Sequence, residues 1–178
     1  METELAIFLT LISFLSFDGT AQEKTKKEIK NDRKFQEKKQ TEALIASKNF
    51  VFDAERVITQ RGRLLVLDYN TYFVKFNIEK AEGDLPFFGR AFNIAYGSDG
   101  GIKFEGKPEN VKIEKKKKSH IVKMTVRGKE DTYDLIFSVF YDGGTTLSIN
   151  SNKRAPISYD GNIRAPKTQS DNNSNTQN

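Results

Sequence analysis

The sequence predicts a mostly β domain: an antiparallel barrel or sandwich of about eight or nine strands, with an N-terminal helix before it and a disordered C-terminal tail after it. Three observations predict this fold. Between residues 50 and 163 apolar side chains recur at every second position, the period that turns one strand face to a core and the other to water. The runs are short, and clusters rich in Gly and Asp separate them, which suits the positive φ angles of tight hairpins. Few stretches resemble crossover helices, which disfavours a parallel α/β sheet.

Residues 1–21 come first. Leu5 to Phe17 is an uncharged apolar run, followed by Asp18-Gly19-Thr20-Ala21 with small residues before a cut after Ala21. This is the layout of a secretory signal peptide, although Met1-Glu2-Thr3-Glu4 lacks the usual basic residue. Thirteen residues span only about 20 Å as a helix, short of the roughly 30 Å hydrocarbon core, so no transmembrane anchor is expected. The expected location after cleavage is the periplasm or the exterior. With no Cys in the chain, there is neither a lipoprotein acylation site nor a disulfide.

Residues 22–48 hold nine Lys/Arg against five Asp/Glu. The segment is dense in good helix formers and gathers apolar residues only at Ala43-Leu44-Ile45-Ala46. It reads as a charged helical lead segment, solvent-exposed until its last turns dock. Removing residues 1–21 deletes Glu2, Glu4 and Asp18 and no base, so the formal charge rises from +5 to +8. Such a surface favours anionic partners if it does more than keep the protein soluble.

The β domain is expected over residues 49–165. Its stripes are Phe50/Phe52/Ala54, Tyr72/Val74/Phe76/Ile78, Ile102/Phe104, Val111/Ile113, Val122/Met124/Val126, Tyr133 to Tyr141, Leu147/Ile149 and Ile157/Tyr159/Ile163. Residues 166–178 are polar throughout except for Pro166 and cannot offset their ordering entropy, so they should be disordered.

Glu82 to Gly101 breaks the rhythm. It carries Phe87, Phe88, Phe92, Tyr96, Arg90 and five Gly. Long irregular segments in compact domains are functional or disordered, and the aromatics argue against disorder. Phe87, Phe88 and Tyr96 suit the apolar walls of a ligand mouth, with Arg90 as an anchor for an anionic group. The alternative is that they plug one end of a barrel.

Phe50-Val-Phe-Asp-Ala-Glu-Arg, Leu85-Pro-Phe-Phe-Gly-Arg-Ala-Phe, Tyr96-Gly, Gly101-Ile-Lys-Phe-Glu-Gly and Leu147-Ser-Ile-Asn-Ser-Asn followed by Ile157-Ser-Tyr-Asp-Gly resemble the DUF4251 family. These are small secreted proteins of Bacteroidetes-type bacteria whose domain has no known function. The resemblance covers roughly residues 40–163. It implies an envelope or secreted location and a mostly β domain, and offers no catalytic residue, metal or cofactor to carry over.

The remaining motifs are weak. Lys115 to Lys118 reads as a solvated hairpin tip that protects a sheet edge, and no nucleic-acid motif accompanies it. His120, the only histidine, reads as a surface residue. A lone His without Cys leaves little for zinc or nucleophile chemistry. Asp53 with Glu55, and Glu130, Asp131 and Asp134, are the carboxylates available for acid–base work, and the second group is explained by its turn. The expectation is therefore a non-enzymatic exported binding module of the envelope, holding a hydrophobic or anionic envelope ligand near 85–96. The alternative is a structural or protein-interaction domain with no small-molecule pocket, and a carboxylate-based hydrolase is third. A lipid carrier requires a vacant interior. A structural module requires a filled core and an exposed patch.

Overall fold

The computed structural model describes residues 25–92 and 100–167. The leader 1–21, the candidate residue Tyr96 and nearly all of the 166–178 tail lie outside the described residues. The chain divides into two units, residues 1–32 and 33–178.

In the first unit the described part is Thr25–Asp32, the opening of helix α1 (Lys26–Ser47). Thr25 caps it: the Glu28 amide donates to Thr25 Oγ1 at 3.3 Å and the Thr25 amide donates to Glu28 Oε2 at 2.8 Å. This reciprocal pair satisfies two amides that helical geometry leaves without partners.

The second unit holds the rest of α1 and ten strands. These are β1 (Phe50–Ile58), β2 (Leu64–Val66), β3 (Phe73–Phe76), β4 (Ala81–Leu85) and β5 (Ile102–Gly106), then β6 (Pro108–Lys115), β7 (Ser119–Arg127), β8 (Thr132–Phe140), β9 (Gly144–Ser151) and β10 (Ile157–Arg164). Nine strands follow one antiparallel path, β5-β4-β3-β1-β10-β9-β8-β7-β6, and β2 pairs beside it with β1. The path forms a nearly closed barrel, and the sandwich alternative is set aside. Closure comes where β5 crosses the end of β7: a Cβ on Gly106 would sit 2.5 Å from the Arg127 carbonyl oxygen.

The alternation explains the core. In β8, Tyr133, Leu135, Phe137 and Val139 face inward, and Leu147, Ile149, Tyr159 and Ile163 continue the face across β9 and β10. Phe50 and Phe52 meet Phe137 edge-on, with ring centroids 5.6 and 5.9 Å apart. These aromatics fill the barrel axis, as expected for a small barrel.

Two strands depart from the sequence reading. β2 is three residues long and mostly exposed, too short for any period to register. β4 takes up the first four residues of the stretch Glu82 to Gly101, where the alternating rhythm breaks. Its inward residues are Ala81, Gly83 and Leu85, and two of them are too small to read as an apolar stripe. Gly83 is small for a reason: a Cβ there would lie 2.4 Å from the Phe104 ring on the paired strand. Gly161 is more constrained still, because its Cβ would fall 1.9 Å from the Asp53 carbonyl, beside the irregularity between Ala54 and Arg56 in β1. Gly161→Ala is expected to destabilise by about 3 kcal/mol through forced separation of β1 and β10, measurable as a shifted denaturation midpoint.

The last turns of α1 dock as expected, through buried Thr41 and Ile45, one turn apart. Ser47 Oγ donates to the Leu44 carbonyl at 2.7 Å, and Lys48 takes a left-handed φ of 52° to end the helix. Lys38 sits 4.6 Å over the Tyr141 ring. Lys115 pairs with Glu42 at 2.9 Å and holds its carboxyl below the usual range. Of the lysine run, Lys115 ends β6 and residues 116–118 form the exposed β6–β7 connection.

His120 is a correction: it is buried, not on the surface. It shares the inward face of β7 with Val122, Met124 and Val126, and its ring meets Tyr141 edge-on. Burial pushes its imidazole below the ordinary value, Lys115 and Lys38 add to this, and Glu42 opposes it. Protonation is then costlier in the folded than in the unfolded chain. Stability should fall as pH drops from about 6.5 toward the lower folded value, and level off beneath it. Guanidinium titrations at pH 7.5 and 5 should show a larger loss for the native protein than for His120→Leu. Equal losses would place the pH response elsewhere.

Among the described residues no helix is long and apolar enough to cross a membrane.

Candidate functional site

The segment that follows β4 runs from Pro86 to Phe92. Pro86 has no amide to extend the ladder. Its carbonyl instead accepts a 2.7 Å hydrogen bond from the Tyr159 hydroxyl, whose burial drives the phenol well above its ordinary range. The chain then folds back on itself, and a Cβ on Gly89 would lie 2.5 Å from the Phe87 ring. Residues 90–92 run against 153–155: the Ala155 amide donates to the Arg90 carbonyl at 2.9 Å, and the Phe92 amide donates to the Lys153 carbonyl at 2.8 Å.

This anchoring separates the predicted site residues. Phe87 is half-buried and packs against the core. Phe88 and Arg90 are exposed. Phe87 therefore acts as a plug at the barrel mouth, while Phe88 and Arg90 stand free beside it. Tyr96 lies outside the described residues.

Under Phe87 sits a group that the sequence reading missed. Arg154 is buried with its guanidinium 5.8 Å from the Phe87 ring centroid. Its Nη2 donates to the Gly101 carbonyl at 2.8 Å and its Nη1 to the Tyr133 hydroxyl at 3.2 Å. Asp131 Oδ2, also buried, lies 3.8 Å away. Asp131 is itself held by the Thr132 amide at 2.8 Å and the Lys153 amide at 3.3 Å. Burial raises the Tyr133 phenol, with Arg154 opposing. One guanidinium thus ties together the start of β5, the β7–β8 hairpin, β8 and the β9–β10 connection. Charged groups this deep require such partners.

Three clefts open around this end. One of about 500 Å³ is lined by Phe104, Tyr133, Arg154, Glu130 and Lys129. A second of about 430 Å³ runs along Tyr72, Leu85, Phe87, Phe88 and Lys103. The third, of about 360 Å³, lies on the other side of Phe88, between Arg90 and the β1–β2 turn. The first reaches the inward-facing Gly83, Phe104 and Tyr133, and the other two border Phe88.

Of the five carboxylates weighed for acid–base work, four have structural partners, and Glu130 is exposed at the 500 Å³ cleft. Asp53 takes a two-pronged contact from Arg164. Glu55 accepts from the Asn162 side-chain amide at 2.8 Å, and Asp134 accepts from the Thr125 hydroxyl at 2.7 Å. Asp131 is held as described above.

A family model described as "Domain of unknown function (DUF4251)" matches residues 32–163. The fold is similar to the crystal structure of a DUF4251 family protein from Bacteroides eggerthii DSM 20697, with a TM-score of 0.58 and 21% sequence identity, over 72% of this chain and 87% of that one. No curated protein matches the chain.

Proposed function

The chain belongs to the DUF4251 family, a domain of unknown function, and from that premise we propose that it is an exported binding module of the cell envelope, holding a hydrophobic or amphipathic ligand at the 85–96 segment. The observation that carries this is the split between Phe87 and its neighbours. Phe87 closes the core, whereas Phe88 and Arg90 are presented to solvent from backbone pinned to residues 153–155. An exposed aromatic beside an exposed guanidinium, both on ordered backbone, suits an apolar body with an anionic end. The uncharged run Leu5–Phe17 and the absence of Cys support export as a soluble protein. The structural partners of Asp53, Glu55, Asp131 and Asp134 support a non-catalytic role.

Native mass spectrometry of protein from its own host tests this reading. A co-purifying mass is expected, and it should be lost in Phe88→Ala/Arg90→Ala. Because both residues are exposed, stability should change by no more than about 0.5 kcal/mol. A lowered Tm with no change in the bound mass would leave these residues as packing alone.

A second reading rests on the filled barrel axis together with exposed Leu64, Val66 and Tyr69 on β2 and the loop after it. It makes the domain a structural or protein-interaction module without a small-molecule pocket.

A further inference from the structure

We infer that Arg61, Arg63 and Arg90 form a recognition site for a phosphomonoester group, with Phe88 as the apolar wall for whatever carries the phosphate. The inference deepens the proposed binding role of the 85–96 segment and rests on it.

The described residues include all eight arginines of the chain. Five are paired with a carboxylate: Arg33 with Glu37, Arg56 with Asp160, Arg127 with Glu109, Arg154 with Asp131 and Arg164 with Asp53. Among the described residues the other three have no ion pair or side-chain hydrogen bond, and all three line the same 360 Å³ cleft. Gln60, Leu65 and Phe88 contribute to its walls, and none of its described lining residues is acidic.

The backbone beneath these side chains is fixed. The β1–β2 turn closes through Gly62 N–H to the Thr59 carbonyl at 2.8 Å and Thr59 N–H to the Arg63 carbonyl at 2.9 Å. The Arg63 amide also donates to Thr59 Oγ1 at 3.1 Å. Gly62 takes a φ of 73°, which lets the turn tighten between Arg61 and Arg63. Arg90 is held from across the cleft by the bond from Ala155 to its carbonyl. Three unpaired cations around one cleft repel each other, and an anion between them relieves that repulsion.

The donor set chooses the anion. Each guanidinium offers a planar fork of N–H groups. One carboxylate, with two oxygens, accepts one such fork fully. A phosphomonoester presents three terminal oxygens and up to two charges, and so matches three forks. The cleft volume lies at the small end of the range for ligand sites, roughly 300–1,000 Å³, enough for a phosphorylated head group. The remainder of a larger molecule would run out over Phe88.

The phosphate could belong to a soluble ester or to a lipid head group, and calorimetry on the full chain separates them. The probes are inorganic phosphate, dihexanoyl phosphatidic acid and dihexanoyl phosphatidylcholine, the lipids below their micelle-forming concentrations. Phosphatidic acid should bind at least about tenfold more tightly than phosphatidylcholine. The triple variant Arg61→Gln/Arg63→Gln/Arg90→Gln should lose about tenfold or more of that affinity. The control Lys116→Gln/Lys117→Gln/Lys118→Gln, which removes the same charge from the β6–β7 connection, should stay within about twofold. Inorganic phosphate binding as tightly as phosphatidic acid supports the site and makes its ligand a soluble ester. Equal losses in the two triple variants would reduce the effect to net charge and overturn the site. Equal affinity for the two lipids would overturn phosphate recognition while leaving an amphiphile-binding segment. Binding of no probe would overturn both.

Discussion

Asp131→Ala is expected to remove about 3–5 kcal/mol of folding stability, the cost of leaving a buried charge without its partner. Arg154 is the charge in question. It is almost fully enclosed, its Nε has no hydrogen-bond partner among the described residues, and Asp131 is the carboxylate beside it. The substitution also strips acceptors from the Thr132 and Lys153 amides. Tm should fall on the order of 10 °C or more for a domain of this size. Asp131→Ala/Arg154→Met should be closer to the native protein than Asp131→Ala alone, because the stranded charge goes with its partner. Part of the loss will persist, since the Gly101 carbonyl and the Tyr133 hydroxyl are left without the guanidinium. Urea denaturation of the three proteins reads this directly. A loss below 1 kcal/mol for the single variant would mean that the charge of Arg154 is balanced by some other group.

Phe137→Ala is expected to cost a similar 3–5 kcal/mol for a different reason. Phe137 meets Phe50 and Phe52 edge-on, and Phe50 in turn packs on Phe76 at 5.1 Å. Removing the ring leaves a cavity bounded by strands on opposite sides of the barrel, which hydrogen-bonded ladders prevent from collapsing. Phe137→Leu retains much of the volume and should cost about 1–1.5 kcal/mol. If the two variants proved equally stable, the barrel axis would be less tightly filled than its geometry indicates.

The two positions differ in how far the sequence announced them. Phe137 stands in the longest alternating stripe, and its inward direction follows from counting by twos. His120 was open to the same count, since it lies in phase with Val122, Met124 and Val126, but the neighbouring lysines drew it to the surface. Arg154 gave no such sign. It lies in Asn152-Lys153-Arg154-Ala155-Pro156, between two strands, where an arginine normally faces water. What buries it is the meeting of Gly101, Asp131 and Tyr133, which lie between 21 and 53 residues away along the chain. The same limit applies to the three-arginine cleft. Arg90 was noticed for its aromatic neighbours, whereas Arg61 and Arg63 belong to a turn whose partner strand is only three residues long. β4 was hidden because two of its three inward positions are Ala81 and Gly83, the latter fitted against Phe104, and both are silent in a hydropathy pattern.

The seam between β1 and β10 has a consequence for the order of events on the ribosome. Val51 pairs with Arg164 and Ile58 with Ser158, so the first strand of the domain is completed by the last. During translation at roughly 5–20 residues per second, β1 waits on the order of 5 to 20 s for that partner to be made. Throughout that interval Phe50, Phe52 and Val57 have no barrel to enter. Exposed apolar side chains make the nascent chain prone to aggregation over that interval.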